Sequence, residues 1–163
     1  MAGKKKKSAK DLSQDGFRLI ARNKRAHHDY EITEKLEAGL VLLGSEVKSL
    51  RAGHAVLRDT YVQFRDGELF LVGCQIKEYQ WANKHNHDPM RERKLLLHAR
   101  EILKMDKAVN HKGLSLVPTQ LYFKKSRIKL EFGVGRGKKL FEKRDSKAEK
   151  QAKRDIERAM KQR

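Results

Sequence analysis

"TYVQFRDGELFLVGCQI", residues 60–76, is the stretch on which the fold turns. Val62 and Phe64 alternate with Gln63 and Arg65, the two-residue period of a half-buried strand. Asp66-Gly67 supplies the two positive-φ positions of a type I′ turn, and Leu69–Val72 runs back. Working outward from this hairpin, other short extended runs appear. "DYEIT" (29–33) reads as a strand. "TEKLEAG" (33–39) reads as one or two helical turns, with Thr33 as N-cap, acids in the first turn and Gly39 as the stop. "LVLLGSEVKSLRAG" (40–53) continues as an apolar, β-branched run with a bulge or bend at Gly44. "KEYQWANKHNHDPMRER" (77–93) lacks periodicity and reads as a long loop. "KLLLHA" (94–99) is a candidate strand. "REILKMDKAVNHKG" (100–113) is a helix by the stripe of Ile102, Met105 and Val109, ended by Gly113. "LSLVPTQLYF" and "RIKLEFGV" are the last two strands, joined at Lys124-Lys125-Ser126, with Pro118 marking an edge or a bulge. The expected class is mainly β: a small antiparallel barrel or sandwich with one real helix, one or two short ones, and a basic C-terminal tail.

The charge is segregated along the chain. Among 163 residues, 39 Lys and Arg face 21 Asp and Glu, for a net +18. Residues 1–25 carry nine cations and two acids, and residues 136–163 carry twelve and five. The body, 26–135, is left with eighteen and fourteen. A nearly balanced module between two cationic ends suits polyanion-seeking arms. The expected organisation is a disordered basic leader at 1–19, a folded strand-rich domain at 20–135, and a flexible basic tail at 136–163, helical when something anionic holds it. The tail carries Ser146-Lys147-Ala148-Glu149, a capping-box pattern, and Ala148, Ala152, Ile156 and Met160 recur every four residues. Both ends lack the Trp, Phe or Leu face of a membrane anchor. No apolar run approaches the roughly 18 residues of a membrane span. The expectation is a cytoplasmic monomer with no membrane partner. A lone cysteine, Cys74, excludes an internal disulfide and reads as a small core residue.

Four basic sets could meet phosphates: "ARNKRAHHDY" (21–30), "EVKSLRAG" (46–53) with Lys48 and Arg51, "KKSRIK" (124–129), and "GRGKK" (135–139) with Arg136, Lys138 and Lys139. Strand alternation sends Arg127, Lys129 and Glu131 to one face, and Ile128, Leu130 and Phe132 to the other. Lys129 is then free to meet a phosphate. His85-Asn86-His87-Asp88 has the residue types of a metal clip but no completing ligands, so neither metal nor cofactor is expected. The loop contacts RNA or packs over the barrel instead. "GVGRGKK" (133–139) follows a strand and has no Ser or Thr after its lysines, so it is a poor phosphate-binding loop of the nucleotidase kind. Its glycines read as a flexible exit from the domain. Glu46 reads as a partner of Lys48. No nucleophile–base–orienter set appears, and no enzyme is expected. A metal-dependent nuclease using Asp59 or Glu46, and a general RNA chaperone, are the rival classes.

Several motifs in order, "NKRAHHDY" (23–30), "EAGLVLLGSEVKSLRAG" (37–53), "YVQFRDGELFLVG" (61–73), "DPMRERKLLL" (88–97) and "GVGRGKKLFEKR" (133–144), together resemble the SmpB family of SsrA-binding proteins. The resemblance covers about residues 20–163. It implies an OB-type barrel that binds the tRNA-like domain of tmRNA and rescues ribosomes stalled on messages without a stop codon. It implies contact with the small subunit, and indirect contact, through tmRNA, with elongation factor Tu and alanyl-tRNA synthetase. By matching motif, Asn23, Lys24, Arg25, His28, Glu37, Leu96 and Lys129 fall at RNA-binding positions. Glu37 would accept from base amino groups or orient a neighbouring cation. Leu96 reads equally as core. Gly137, Lys138, Lys139, Phe141, Lys143 and Arg144 match the stretch that meets the decoding centre, and Lys153, Arg154, Ile156 and Met160 continue the tail in the empty message channel. Phe141 stands where some relatives place His, Glu142 where Asp occurs, and Ala159 where Ile occurs.

Overall fold

The structure is a computed structural model and describes residues 16–82 and 85–161. The leader expected at 1–19 lies largely outside the described residues. The chain runs β1 (Arg18–Arg22), α1 (Ala26–Asp29), β2 (Tyr30–Leu40), α2 (Gly44–Arg51), β3 (Ala55–Val56), β4 (Tyr61–Arg65), β5 (Glu68–Val72), β6 (Gln75–Ile76), β7 (Arg93–Leu96), α3 (Ala99–Asp106), β8 (Ser115–Lys124), β9 (Arg127–Gly137) and α4 (Leu140–Lys161). A π-helical turn, Lys107–His111, prolongs α3.

The hairpin is where its alternation put it. β4 and β5 pair in register from Tyr61↔Val72 to Arg65↔Glu68, and Asp66 and Gly67 both have positive φ, 53° and 76°. From there the strands close on themselves through antiparallel pairs: β4–β5–β7–β2–β9–β8, and β8 returns to β4 at Val62↔Leu116. β8 is long enough to take two neighbours on one edge. Its start meets β4, and its second half takes β1, from Arg18↔Phe123 to Arg22↔Gln120. Closure removes the unpaired edges that would invite aggregation. The interior is filled by alternate residues, among them Leu69, Leu71, Leu121, Leu130 and Phe132, all at most 1 % exposed. Pro118 sits at a register break between Pro118 and Gln120, a bulge that accommodates its missing N–H.

Three expectations are corrected. Residues 33–39 are not helical. They lie inside β2, where nine residues pair with β9 from Tyr30↔Gly137 to Gly39↔Lys129. Of the acids that resembled a first helical turn, Glu34 meets Lys104 of α3, and Glu37 meets Tyr122 and Lys124 of β8. Second, 44–51 is a helix rather than a bent strand. The buried Glu46 carboxylate accepts the Leu43 N–H at 2.7 Å, the back-reaching half of a capping box. Third, Gly133 and Gly135 are not a loose exit but the tight seam between β9 and β2. A Cβ on Gly135 would stand 2.0 Å from the Glu31 carbonyl oxygen.

Glu46 does not pair with Lys48. Its carboxylate holds Arg93 Nε at 2.9 Å and Arg91 Nη2 at 2.7 Å. Arg93 is fully buried, and its remaining donors reach the Cys74 and Pro89 carbonyls. Burial pushes the Glu46 pKa up, but the Arg91 hydrogen bond, the Leu43 N–H and Arg93 outweigh it, and the net shift is downward. Cys74 is buried beside this network, and burial pushes its thiol up to about 11. The native thiol is therefore expected to be silent to a disulfide reagent at pH 8 and to titrate fully in denaturant; fast native reaction would contradict the burial.

Candidate nucleic-acid interface

The register of β2, β9 and β8 brings distant residues together on the outer face. Gly39 of β2 lies opposite Lys129 of β9, which lies opposite Tyr122 of β8. Glu37 is the centre of this patch. Tyr122 Oη donates to its Oε2 at 2.6 Å, Lys124 Nζ donates to the same oxygen at 2.9 Å, and Lys129 Nζ stands 3.8 Å from Oε1. The Tyr122 hydrogen bond, then Lys124 and Lys129, hold the Glu37 carboxyl below its usual range against its partial burial. Of the two uses considered for Glu37, orienting cations is the one this geometry performs. Replacing Tyr122 with Phe should raise the Glu37 carboxyl pKa, read by NMR titration of the side-chain carboxyl carbon. An unmoved pKa would mean that the lysines alone set it.

Leu96 is half exposed, which removes its core reading. It packs on Gly39, where a Cβ would come within 3.3 Å of its own. Glu37, Leu40, Leu96, Ile128 and Lys129 line one open groove of about 800 Å³. Phe17 adds an aromatic surface beside it, its ring 4.8 Å from that of Tyr122.

Asn23 to His28 form a second group. Asn23 is spent on architecture: its N–H and Nδ2 bond the Thr119 and Pro118 carbonyls, and its Oδ1 takes the Arg25 N–H. That leaves Lys24 and Arg25 pointing to solvent. His28 Nδ1 lies 2.9 Å from Asp29 Oδ1, and its Nε2 is enclosed with no partner among the described residues. Lys48 and Arg51, on α2, fall elsewhere. Lys48 lies over the Tyr79 ring, and Arg51 lines a separate groove with Arg18 and Phe123.

The start of the tail is tied to α1 and β2. Arg136 Nε meets Glu31 at 2.7 Å and its Nη2 meets Glu142 at 3.6 Å. Gly137 pairs with Tyr30, and the Lys138 N–H reaches the Asp29 carbonyl at 2.8 Å. Lys143 Nζ meets the Asp29 carboxylate at 3.2 Å. The His28 hydrogen bond and then Lys143 hold the Asp29 carboxyl below its usual range, against a partial desolvation. The Lys139 N–H is capped by Glu142, so α4 starts six residues before Ser146. Phe141 and Arg144 are exposed, as is every residue from Gln151 to Met160, including Lys153, Arg154 and Ile156.

The 77–93 loop packs over the barrel. His87 is buried between the Ser45 hydroxyl at 2.9 Å and the Ile76 carbonyl at 3.1 Å, and Asn86 brackets the Tyr79 backbone. Among the described residues no three His, Cys, Asp or Glu side chains converge as a metal site. Sequence reasoning missed Tyr122 and Phe17. The turn at Lys125-Ser126, where both φ angles are positive (47° and 65°), sets Tyr122 opposite Lys129 and was the signal that could have found the first.

A closed antiparallel barrel with cations bracketed on its outer face, trailing a basic helix, defines a polyanion-binding β-barrel. The model of the family described as SmpB protein matches residues 20–162. The chain belongs to the SmpB family. It is 51 % identical over 148 residues to the SsrA-binding protein of Syntrophotalea carbinolica, covering 91 % of this chain and 99 % of that one. It is 51 % identical over 154 residues to that of Syntrophobacter fumaroxidans, covering 94 % and 96 %. A solved structure described as "tmRNA-SmpB: a journey to the center of the bacterial ribosome" aligns with TM-score 0.61 and 47 % identity, over 73 % of this chain and 84 % of that one.

Proposed function

We propose that this chain is a non-enzymatic, cytoplasmic RNA-binding adaptor. It binds the tRNA-like domain of tmRNA and delivers it to stalled ribosomes for trans-translation. The observation that carries this reading is the convergence of Glu37, Leu96 and Lys129 on one groove, in a chain of the SmpB family. Lys129 and Lys124, oriented by Glu37, neutralise phosphates of a folded RNA; Lys24, Arg25 and His28 extend the contact. Arg136 to Lys139 carry the chain from the barrel into the tail. In this reading Phe141, Lys143 and Arg144 meet the decoding centre, and α4 occupies the empty message channel of the small subunit. Elongation factor Tu and alanyl-tRNA synthetase are engaged through the RNA. Among the described residues no helix is long and apolar enough to cross a membrane.

The test is a competition gel shift with purified chain, tmRNA and an unrelated structured RNA of equal length. Preferential, salt-sensitive binding of tmRNA is expected. Equal affinity for both would instead mark a general RNA chaperone.

A further inference from the structure

Several cations on the barrel are held by carboxylates. Lys35 pairs with Glu131, Arg65 with Glu92, Lys104 with Glu34, Lys124 and Lys129 with Glu37, and Arg136 with Glu31. Arg22, Lys24 and Arg25 are not among them, and they share one groove. None of the three has a carboxylate partner among the described residues, and all three are exposed. They are also not scattered. With Asn23 and Arg58 they line one open groove of about 380 Å³ against β3, and no acidic residue lines it.

Arg58 reaches this groove from the β3–β4 connection. The next residue, Asp59, is held in the left-handed region at φ 56°. Gly73 packs behind it so closely that a Cβ there would stand 3.1 Å from the Asp59 carbonyl oxygen. Arg58 and Asp59 are 3.4 Å apart, but both side chains are two-thirds or more exposed, so the pair is weak and easily exchanged for a phosphate. A concave site with four cations and no lining acid concentrates positive potential and selects polyanions. The groove lies across the sheet from the patch around Glu37. Arg22 lies opposite Gln120, Gln120 opposite Glu131, and Glu131 opposite Glu37. Three strand spacings, about 14 Å, therefore separate Arg22 from Glu37. Burial, followed by the charges of Lys35 and Arg22, holds His27 below its usual pKa.

We propose that Arg22 and Arg58 complete, with Lys24 and Arg25, a second phosphate clamp that grips the ribose-phosphate backbone of the same RNA that the Glu37–Lys129 groove holds. This rests on the RNA-binding reading above. It adds two residues that no family motif supplied, and it makes the footprint bidentate: one grip on β2, β9 and β8, another between β1 and β3.

The test is the double substitution R22Q/R58Q in the full chain, with R100Q/K112Q, two exposed cations outside the groove, as control. Dissociation constants are measured from 50 to 200 mM salt, and thermal melting confirms that both variants fold. Loss of two phosphate contacts should reduce the magnitude of the log Kd against log salt slope by about 1.5, with the control unchanged. An unchanged slope in R22Q/R58Q, or an equal fall in the control, overturns the clamp. The slopes are read with tmRNA and with an unrelated structured RNA. Indifference of the wild-type chain between the two would defeat the tmRNA reading, while the slope still decides the clamp.

Discussion

Truncation after Lys139 should leave tmRNA binding within about twofold of the full chain and abolish peptide tagging on stalled ribosomes. The barrel ends where β9 pairs with β2 at Gly137↔Tyr30, so this cut removes α4 and no ladder bond. Residues Gln151 to Met160 are exposed along their whole length and contribute nothing to the core. The truncated chain loses the partly exposed Lys143–Asp29 pair, worth at most about 1 kcal/mol, and the solvent-exposed Arg136–Glu142 contact. Two measurements settle the matter: a filter-binding isotherm with tmRNA, and an in vitro tagging assay on ribosomes halted at the end of a message. Joint loss of both activities would refute the separation between barrel and tail.

The second large effect is on stability. Arg93→Met should lower stability by about 3–5 kcal/mol, because Glu46 would be left as a buried carboxylate with its innermost partner gone. For a chain of this length that is a fall in melting temperature of roughly 6–20 °C. Arg91 would still hold Glu46 from the rim at 2.7 Å, so the lower half of the range is expected. The low Glu46 pKa adds a pH dependence. A carboxyl depressed in the folded state stabilises above its unfolded pKa and ceases to do so as pH falls through the folded one. Wild-type melting temperature should therefore decline in the acid range below the ordinary carboxylate pKa. A variant that melts like wild type would show that the arginine is dispensable to the barrel.

What could be read from the sequence follows the distance over which each signal acts. The β4–β5 hairpin was legible because Asp66-Gly67 and the flanking alternation are local. So was α3, whose stripe and terminal Gly113 lie within fifteen residues. Residues 33–39 misled because Thr33, the following acids and Gly39 imitate helix caps, while the partner that makes them a strand is β9, about a hundred residues away. Gly44 read as a bulge because the reason for a helix there is Glu46, fixed from β7 and the loop before it. Gly133 and Gly135 looked like slack, since only the paired strand reveals the crowding that demands them. The candidate site was legible as a set of residue types. Its focus was not: Tyr122 reads as a core aromatic, and only the barrel turns its hydroxyl to Glu37. Arg93 carried no signal that distinguished it from the surface cations around it.

The short polar ties at the root of α4 have a mechanical meaning. A helix of 22 residues is a lever of about 33 Å, so a 10° change of tilt at its pivot sweeps its tip through about 6 Å. The few contacts around Asp29, Glu31 and Glu142 therefore govern where Met160 ends up, far out of proportion to their own strength. An anion that exchanged with one of them and changed the tilt by that 10° would move the far end by about one helical turn.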